Sequence, residues 1–274
     1  MTLNYAEGAP NGPPFVHLHA GAARWQYSQE FLEAISARWH VFAPDLRGHG
    51  KSGHVPGAYN LADYVRDIAT FLERVVGEPA VVYGHSLVGV MLATRYPRFM
   101  RALIVGDAPL SWRNHAGEEP AHRAQNELWH QLVGRPEAEI ALALRDTPVL
   151  ERESGRVTTA REVMDEDSIW YTLQATSLHQ LDPDMLAAVL AGPEVMLVGY
   201  EPAPVLPAIQ CPVLLLQADA RQGSALPDAD VEVALRLLAR PTLVRLEGIG
   251  HPLHGPPGMT PRILAAMEPF LSQL

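Results

Sequence analysis

VVYGHSLVGV, residues 81–90, decides how the rest of the chain is read. Val81, Val82 and Tyr83 are β-formers that run into Gly84, and after Ser86 the apolar residues fall at helical spacing. The segment reads as a strand turning sharply into a helix, with Ser86 at the corner. A serine on so tight a turn has its hydroxyl held away from the backbone, beside the positive N-terminus of the helix. The Leu87 N–H then points at any oxyanion formed on a carbonyl that Ser86 attacks. An ordinary Gly-x-Ser helix N-cap fits the same residues equally well, so the surroundings must decide.

Working outward, short apolar runs alternate with amphipathic stretches. FVHLHA (15–20), HVFAPD (40–45), AVVYG (80–84), ALIVGD (102–107), VLLLQAD (213–219) and TLVRLEG (242–248) read as strands. They are continuous rather than alternating, as strands covered on both faces must be. Helical patterns lie between them at 25–38, 61–76, 87–96, 229–239 and 261–273. This order predicts an α/β protein with a doubly wound, mostly parallel sheet and a ligand site at the strands' carboxyl ends. From Leu110 to Ile209 the rhythm breaks, with only VMLV (195–198) as a strand candidate and helical patterns at 121–133 and 136–145. That interval is far longer than an ordinary strand connection. The expected organisation is therefore a core of residues 1–110 and 205–274 with a helical cap at 111–204.

The formal charge of -10 argues against nucleic acid or an anionic membrane as partner, since both select a basic footprint. Hydrophobic residues at 47% and charged ones at 19% suit a folded domain rather than a disordered chain. Cys211 is the single cysteine, so no internal disulfide forms, and its place before an apolar run suggests a buried structural thiol. MTLNYAEGAPNGPP has no secretory pattern and no apolar run is long enough to span a membrane, so a cytoplasmic protein is expected.

Two further stretches bear on Ser86. HLHAGAARW (17–25) is a strand end followed by a Gly/Ala turn that can offer a second oxyanion N–H, with Gly21 first and Ala20 and Ala22 behind. His17 and His19 share a strand face but lack a third ligand at metal spacing, so support of the turn is the better reading. LEGIGHPLHGPP (246–257) puts His251 on a loop after two glycines, where an imidazole can serve as general base, with His254 as a neighbour. APDLRGHGKS (43–52) lacks the spacing of a phosphate loop. There Asp45 and Arg47 are expected to pair and hold the turn with His49.

HLHAGAARW, DLRGHGKSG, GHSLVG, RYPRFMRALIVGDAP, CPVLLLQAD and LEGIGHPLH, in this order, make the chain similar to α/β-hydrolase fold proteins of the lidded esterase, lipase and haloperoxidase-like kind. The resemblance covers about residues 10–110 and 205–270. It implies Ser86 as nucleophile, His251 as base, Leu87 and Gly21 as oxyanion donors, and no cofactor or metal. The sequence departs from the family at His19-Ala20, where the family has His-Gly, and at Val88, where a small residue is usual. It departs again at Arg221, which stands where the family's triad aspartate follows the strand. Asp219, two residues earlier, is preferred by a narrow margin over Asp107 as the acid; Asp228 and Asp230 look like helix N-caps.

The expected activity is hydrolysis of a small carboxylic ester through an acyl-enzyme, with amide, lactone, thioester and carbon–carbon cleavage using the same parts. Serine rather than aspartate at the corner argues against epoxide hydrolase or haloalkane dehalogenase chemistry. The alternatives are a binding protein of receptor type, motivated by the altered acid position, and a cofactor-free oxygenase. Trp112, Trp129, Met164, Trp170, Tyr171 and His179 of the insertion are candidates to wall an apolar pocket, or else form the insertion's own core, and Trp25, closer to the oxyanion turn, is the better pocket candidate.

Overall fold

The computed structural model describes residues 1–85, 87–111, 119–151, 156–254 and 258–274. Ser86 and Trp112 lie outside the described residues. Seven strands form one sheet in the order β1-β3-β2-β4-β5-β8-β9. They are β1 (Tyr5–Glu7), β2 (Pro14–Leu18), β3 (His40–Pro44), β4 (Ala80–Gly84), β5 (Met100–Gly106), β8 (Val213–Ala218) and β9 (Pro241–Leu246). All neighbours run parallel except the short edge strand β1, which pairs antiparallel with β3. The central strands are buried end to end, whereas β9, at the edge, is half-exposed. This explains why the central runs lack alternation.

Helices cover both faces. On one face α1 (Gln29–Ile35) and α12 (Thr260–Leu271) bury Phe31, Ile35, Ile263 and Met267 against Phe15, Val81 and Ile104. On the other, α2 (Leu61–Phe71), α3 (Val88–Arg95) and α11 (Asp228–Leu237) bury Tyr64, Ile68, Met91 and Val231 against Val16, Val82 and Leu103. Each such side chain contributes about 1.5–3 kcal/mol. Helix α2 starts where Asn60 accepts the Asp63 N–H at 3.1 Å, satisfying one orphan donor of the first turn. The close crossing of α3 over β4 falls at Gly89: a Cβ there would stand 3.0 Å from Leu103 Cδ1 and 3.7 Å from Gly84 Cα. Val88 points instead into the core at 4% exposure, so its size is accommodated.

Between β5 and β8 the chain leaves the sheet. It forms α4 (Glu119–Leu132), α5 (Glu137–Ala143), a hairpin of β6 (Pro148–Glu151) and β7 (Arg156–Thr159), and then α6 (Ala160–Val163), α7 (Ile169–His179), α8 (Pro183–Ala191), α9 (Pro193–Met196) and α10 (Pro202–Val205). Residues 195–198, a strand candidate by sequence, close the short α9 and the turn after it, because Pro193 starts a helical turn there. The hairpin was not foreseen. Polar contacts dock this insertion on the core, among them Tyr59 Oη donating to Asp182 at 2.5 Å, the Asp182 N–H to Gly48 O at 2.8 Å, and Tyr200 Oη to Leu110 O at 2.8 Å.

Candidate active site

The strand order creates the site. From β2 the chain moves outward to β3 and returns to β4 on β2's other side, so the turns after β2 and β4 meet at a topological switch point. Leu18 is in register with Gly84, and the His85 N–H donates to Leu18 O at 3.1 Å. Gly84 in turn is level with Val105 on β5, and Gly106 with Leu216 on β8. The carboxyl ends thus present, side by side, the 19–24 turn, His85 at the end of β4, Asp107 and Asp219.

The 19–24 turn is held by two imidazoles. His19 Nε2 accepts the Leu46 N–H at 2.9 Å and its Nδ1–H donates to Ala20 O at 2.8 Å. His49 Nε2 accepts the Ala22 N–H at 3.2 Å and its Nδ1–H donates to Arg47 O at 2.8 Å. Burial lowers both rings, His19 to about 4 and His49 to about 3, so each is neutral and locked in one tautomer. Neither the Gly21 nor the Leu87 N–H has a hydrogen-bond partner among the described residues, and Leu87 caps the start of α3.

His251 reaches back across β8. Its Nδ1–H donates to Asp107 Oδ2 at 2.9 Å. Its carbonyl accepts hydrogen bonds from the Leu253 N–H at 2.7 Å and from the His85 Nε2–H at 3.0 Å. Asp107 is fully buried and takes three more donors: the Ala218 N–H at 2.8 Å, Ser224 Oγ at 2.6 Å and the Ala225 N–H at 2.7 Å. Burial pushes this carboxyl up, but His251, Ser224 and Ala225 outweigh it and leave it below the ordinary aspartate value. Asp107 sits at φ +46°, a left-handed conformation that an aspartate tolerates and that carries its carboxylate off the line of β5.

His251 is bonded to Asp107 and not to Asp219, the aspartate that the sequence narrowly favoured. Asp219 Oδ1 accepts the Arg221 N–H at 2.9 Å and Oδ2 the Gly248 N–H at 2.8 Å, which hold its carboxyl low and leave it turned from His251. With the Asp219 N–H donating to Ile249 O at 2.7 Å, the residue staples the loop that carries His251. Arg221 lies at the surface in a single helical turn, 220–222.

A family model described as the alpha/beta hydrolase family matches residues 15–262. The chain belongs to that family. Over 110 residues it is 30% identical to a 2-(acetamidomethylene)succinate hydrolase of Mesorhizobium japonicum, a match that spans 39% of each chain. Over 222 residues it is 28% identical to a haloalkane dehalogenase of Bradyrhizobium diazoefficiens, covering 76% of this chain and 69% of that one. The solved enol-lactonase of Burkholderia xenovorans has the same fold, with a TM-score of 0.70 at 19% identity, over 98% of this chain and 96% of that one.

Other expectations fare differently in this α/β-hydrolase. Arg47 pairs with Asp67 at 2.5 Å rather than with Asp45, whose carboxylate instead accepts from Asn4 and from the Trp25 and Lys51 N–H groups. Asp230 accepts the Leu110 and Ser111 N–H groups at 2.8 and 2.7 Å, and Asp228 binds Gln217 and Arg245, so neither caps α11. His17 supports no turn: it stacks on Tyr83 inside the sheet with neither ring nitrogen partnered among the described residues, and burial followed by the nearby His19 and His85 lowers it to about 3. His254 lies beside it and hydrogen-bonds Tyr83 Oη at 2.8 Å. Burial raises the Cys211 thiol to about 11.

Trp25 packs toward the core face of α1, and Trp129 and Trp170 pack on the buried cluster shared by sheet and insertion. His179 Nδ1–H donates to Arg135 O at 2.8 Å, within the insertion. Sequence reasoning missed His85 and Ser224, which brace His251 and Asp107. A histidine beside the corner serine was the available signal for the first; nothing marked Ser224, which acts through a contact to a residue 117 positions away.

Proposed function

We propose that the chain is a serine hydrolase that cleaves a small carboxylic ester or related acyl compound, with Ser86, His251 and Asp107 as its triad. The observation that carries this reading is the 2.9 Å bond from His251 Nδ1–H to buried Asp107. It fixes the tautomer that leaves Nε2 free to accept a proton, and a carboxylate held ionised stabilises the imidazolium that results. Ser86, at the corner between β4 and α3, attacks the carbonyl as its proton passes to His251. The oxyanion is received by the Leu87 and Gly21 N–H groups, both without other partners among the described residues. The alkoxide leaves with the proton from His251, and water, activated by the same imidazole, releases the acid.

The insertion between β5 and β8 is read as the cap over this site. Solved neighbours named as an esterase and an enol-lactonase favour ester or lactone carbonyls. A serine nucleophile supports acyl transfer rather than the displacement named for the dehalogenase relative. The reading of a non-catalytic binding protein rested on Arg221, and the Asp107–His251 pair takes that motive away.

The test is turnover of p-nitrophenyl acetate and butyrate together with fluorophosphonate labelling of wild type and Ser86→Ala. Wild type is expected to label once and turn over, and Ser86→Ala to do neither. A wild type that does neither sinks the reading.

A further inference from the structure

The 19–24 turn carries an alanine where its backbone is left-handed: Ala22 has φ +54°. That conformation costs an L-residue about 1–2 kcal/mol, so it persists only when the surroundings hold it. Because a trans peptide is planar, with C=O and N–H antiparallel, fixing one group aims the other. The Ala20 carbonyl accepts from His19 Nδ1–H and from the Ala23 N–H at 3.3 Å, which aims the Gly21 N–H. The next peptide is pinned through the Ala22 N–H to His49. Both of these clamps come from the core.

The third comes from the insertion. Gln174, in the middle of α7 and 3% exposed, donates from Nε2 to Ala22 O at 3.0 Å. Its Oε1 accepts from Tyr27 Oη at 3.1 Å, and since a neutral phenol donates here, the amide can face only one way. Burial pushes the Tyr27 phenol well up, so it remains that donor. Its neighbours on the buried face of α7 are Tyr171, Ala175, Ser177 and Leu178, and a buried amide in such company is costly unless bonded. Both ends of this amide are spent on one short stretch, residues 22–27.

We propose that Gln174 is a positioning residue for the reaction: from the insertion it holds the Ala22 carbonyl, and so keeps the Gly21 N–H aimed at the oxyanion. This rests on the serine-hydrolase reading, with Gly21 as an oxyanion donor. Without the bond, Ala22 relaxes toward negative φ, the 22–23 peptide turns, and its Ala23 N–H leaves the Ala20 carbonyl whose peptide carries the Gly21 N–H. An N–H displaced by about 1 Å from a developing charge loses on the order of tenfold to a hundredfold in rate.

Gln174→Met keeps the volume and removes both hydrogen bonds; Gln174→Glu still accepts from Tyr27 but turns a carboxylate oxygen on the Ala22 carbonyl. With p-nitrophenyl esters, kcat of Gln174→Met is expected to fall about ten- to a hundredfold while KM stays within about threefold, and Gln174→Glu to be at least as impaired. Inhibition by phenylboronic acid, whose tetrahedral adduct places an oxygen in the same hole, weakens in proportion to kcat/KM. Amide hydrogen exchange speeds up in residues 19–24 and is unchanged in β4 and β5. Should Gln174→Met fail to fold, Tyr27→Phe, which frees the amide to rotate, is expected to lower kcat about three- to tenfold with the same boronate response. A Gln174→Met protein with kcat within twofold of wild type and unaltered exchange in 19–24 overturns the inference while leaving the hydrolase intact. A wild type that neither turns over esters nor binds phenylboronic acid overturns the underlying reading and the catalytic role with it. Exchange in 19–24 then still decides whether Gln174 holds the turn.

Discussion

Strands β5 and β8 are neighbours, and each delivers an aspartate at its carboxyl end. Asp107 turns left-handed as β5 stops, is fully buried, and gathers a side-chain imidazole, a hydroxyl and two backbone amides. Asp219 continues the line of β8 in extended backbone and spends its carboxylate on two backbone amides of its own surface loops. One holds the histidine; the other holds the loop on which the histidine rides. The difference teaches that position along a strand end does not assign the acid: the direction of the backbone and the donors that converge on the carboxylate do.

That contrast can be broken most forcefully at Asp107. In Asp107→Asn the amide can present its NH₂ to His251, favour the wrong tautomer and fail to stabilise the imidazolium. Ester kcat/KM is expected to fall on the order of a thousand- to ten-thousandfold. A loss below tenfold in steady-state assays contradicts the assignment.

The two ends also differ in what lies behind them. Toward β2 stand His17, His19 and His49, which burial holds neutral with values of about 3, 4 and 3; no such group packs behind Asp219 among the described contacts. Unfolded, each imidazole returns to about 6.5, so between pH 6.5 and about 4 the unfolded chain binds protons that the folded chain refuses. Their contribution is complete above pH 6.5 and is lost as the pH falls, at about 1.4 kcal/mol per unit for each ring. Urea midpoints measured from pH 7.5 to 5 are expected to fall steeply below 6.5. In His17→Phe, which deletes two unpartnered nitrogens, the fall is shallower. An unchanged slope in that variant contradicts the account of His17.

The smallest effect belongs to Asp219→Asn. The loop loses part of its staple but His251 keeps its acid, and ester kcat is expected within about threefold of wild type.

Much of this was legible in the chain. The central strands announced themselves because both of their faces are covered, and Ser86 stood out because a strand, a glycine and a helix meet at it. The 19–24 turn and His251 followed from Gly-rich loops after strands. Which aspartate meets His251 was not legible: Asp107 and Asp219 both end strands, and only the left-handed bend at Asp107 and the reach of the 247–254 loop across β8 separate them. The Asp45–Arg47 pairing failed for a related reason, since a neighbour in sequence lost to Asp67 on α2, which lies in the guanidinium's path. The β6–β7 hairpin was hidden because two four-residue strands leave too short a pattern to read. Trp129 and Trp170 are apolar in pattern alone, and both pack against the buried cluster that sheet and insertion share.

The central claim, that His251 is held by Asp107, is tested most directly by proton NMR of the His251 Nδ1–H, whose resonance moves far downfield when it donates to a buried carboxylate. Wild type and Asp219→Asn are expected to show this resonance, and Asp107→Asn to lose it. Its survival in Asp107→Asn together with its loss in Asp219→Asn would contradict the account.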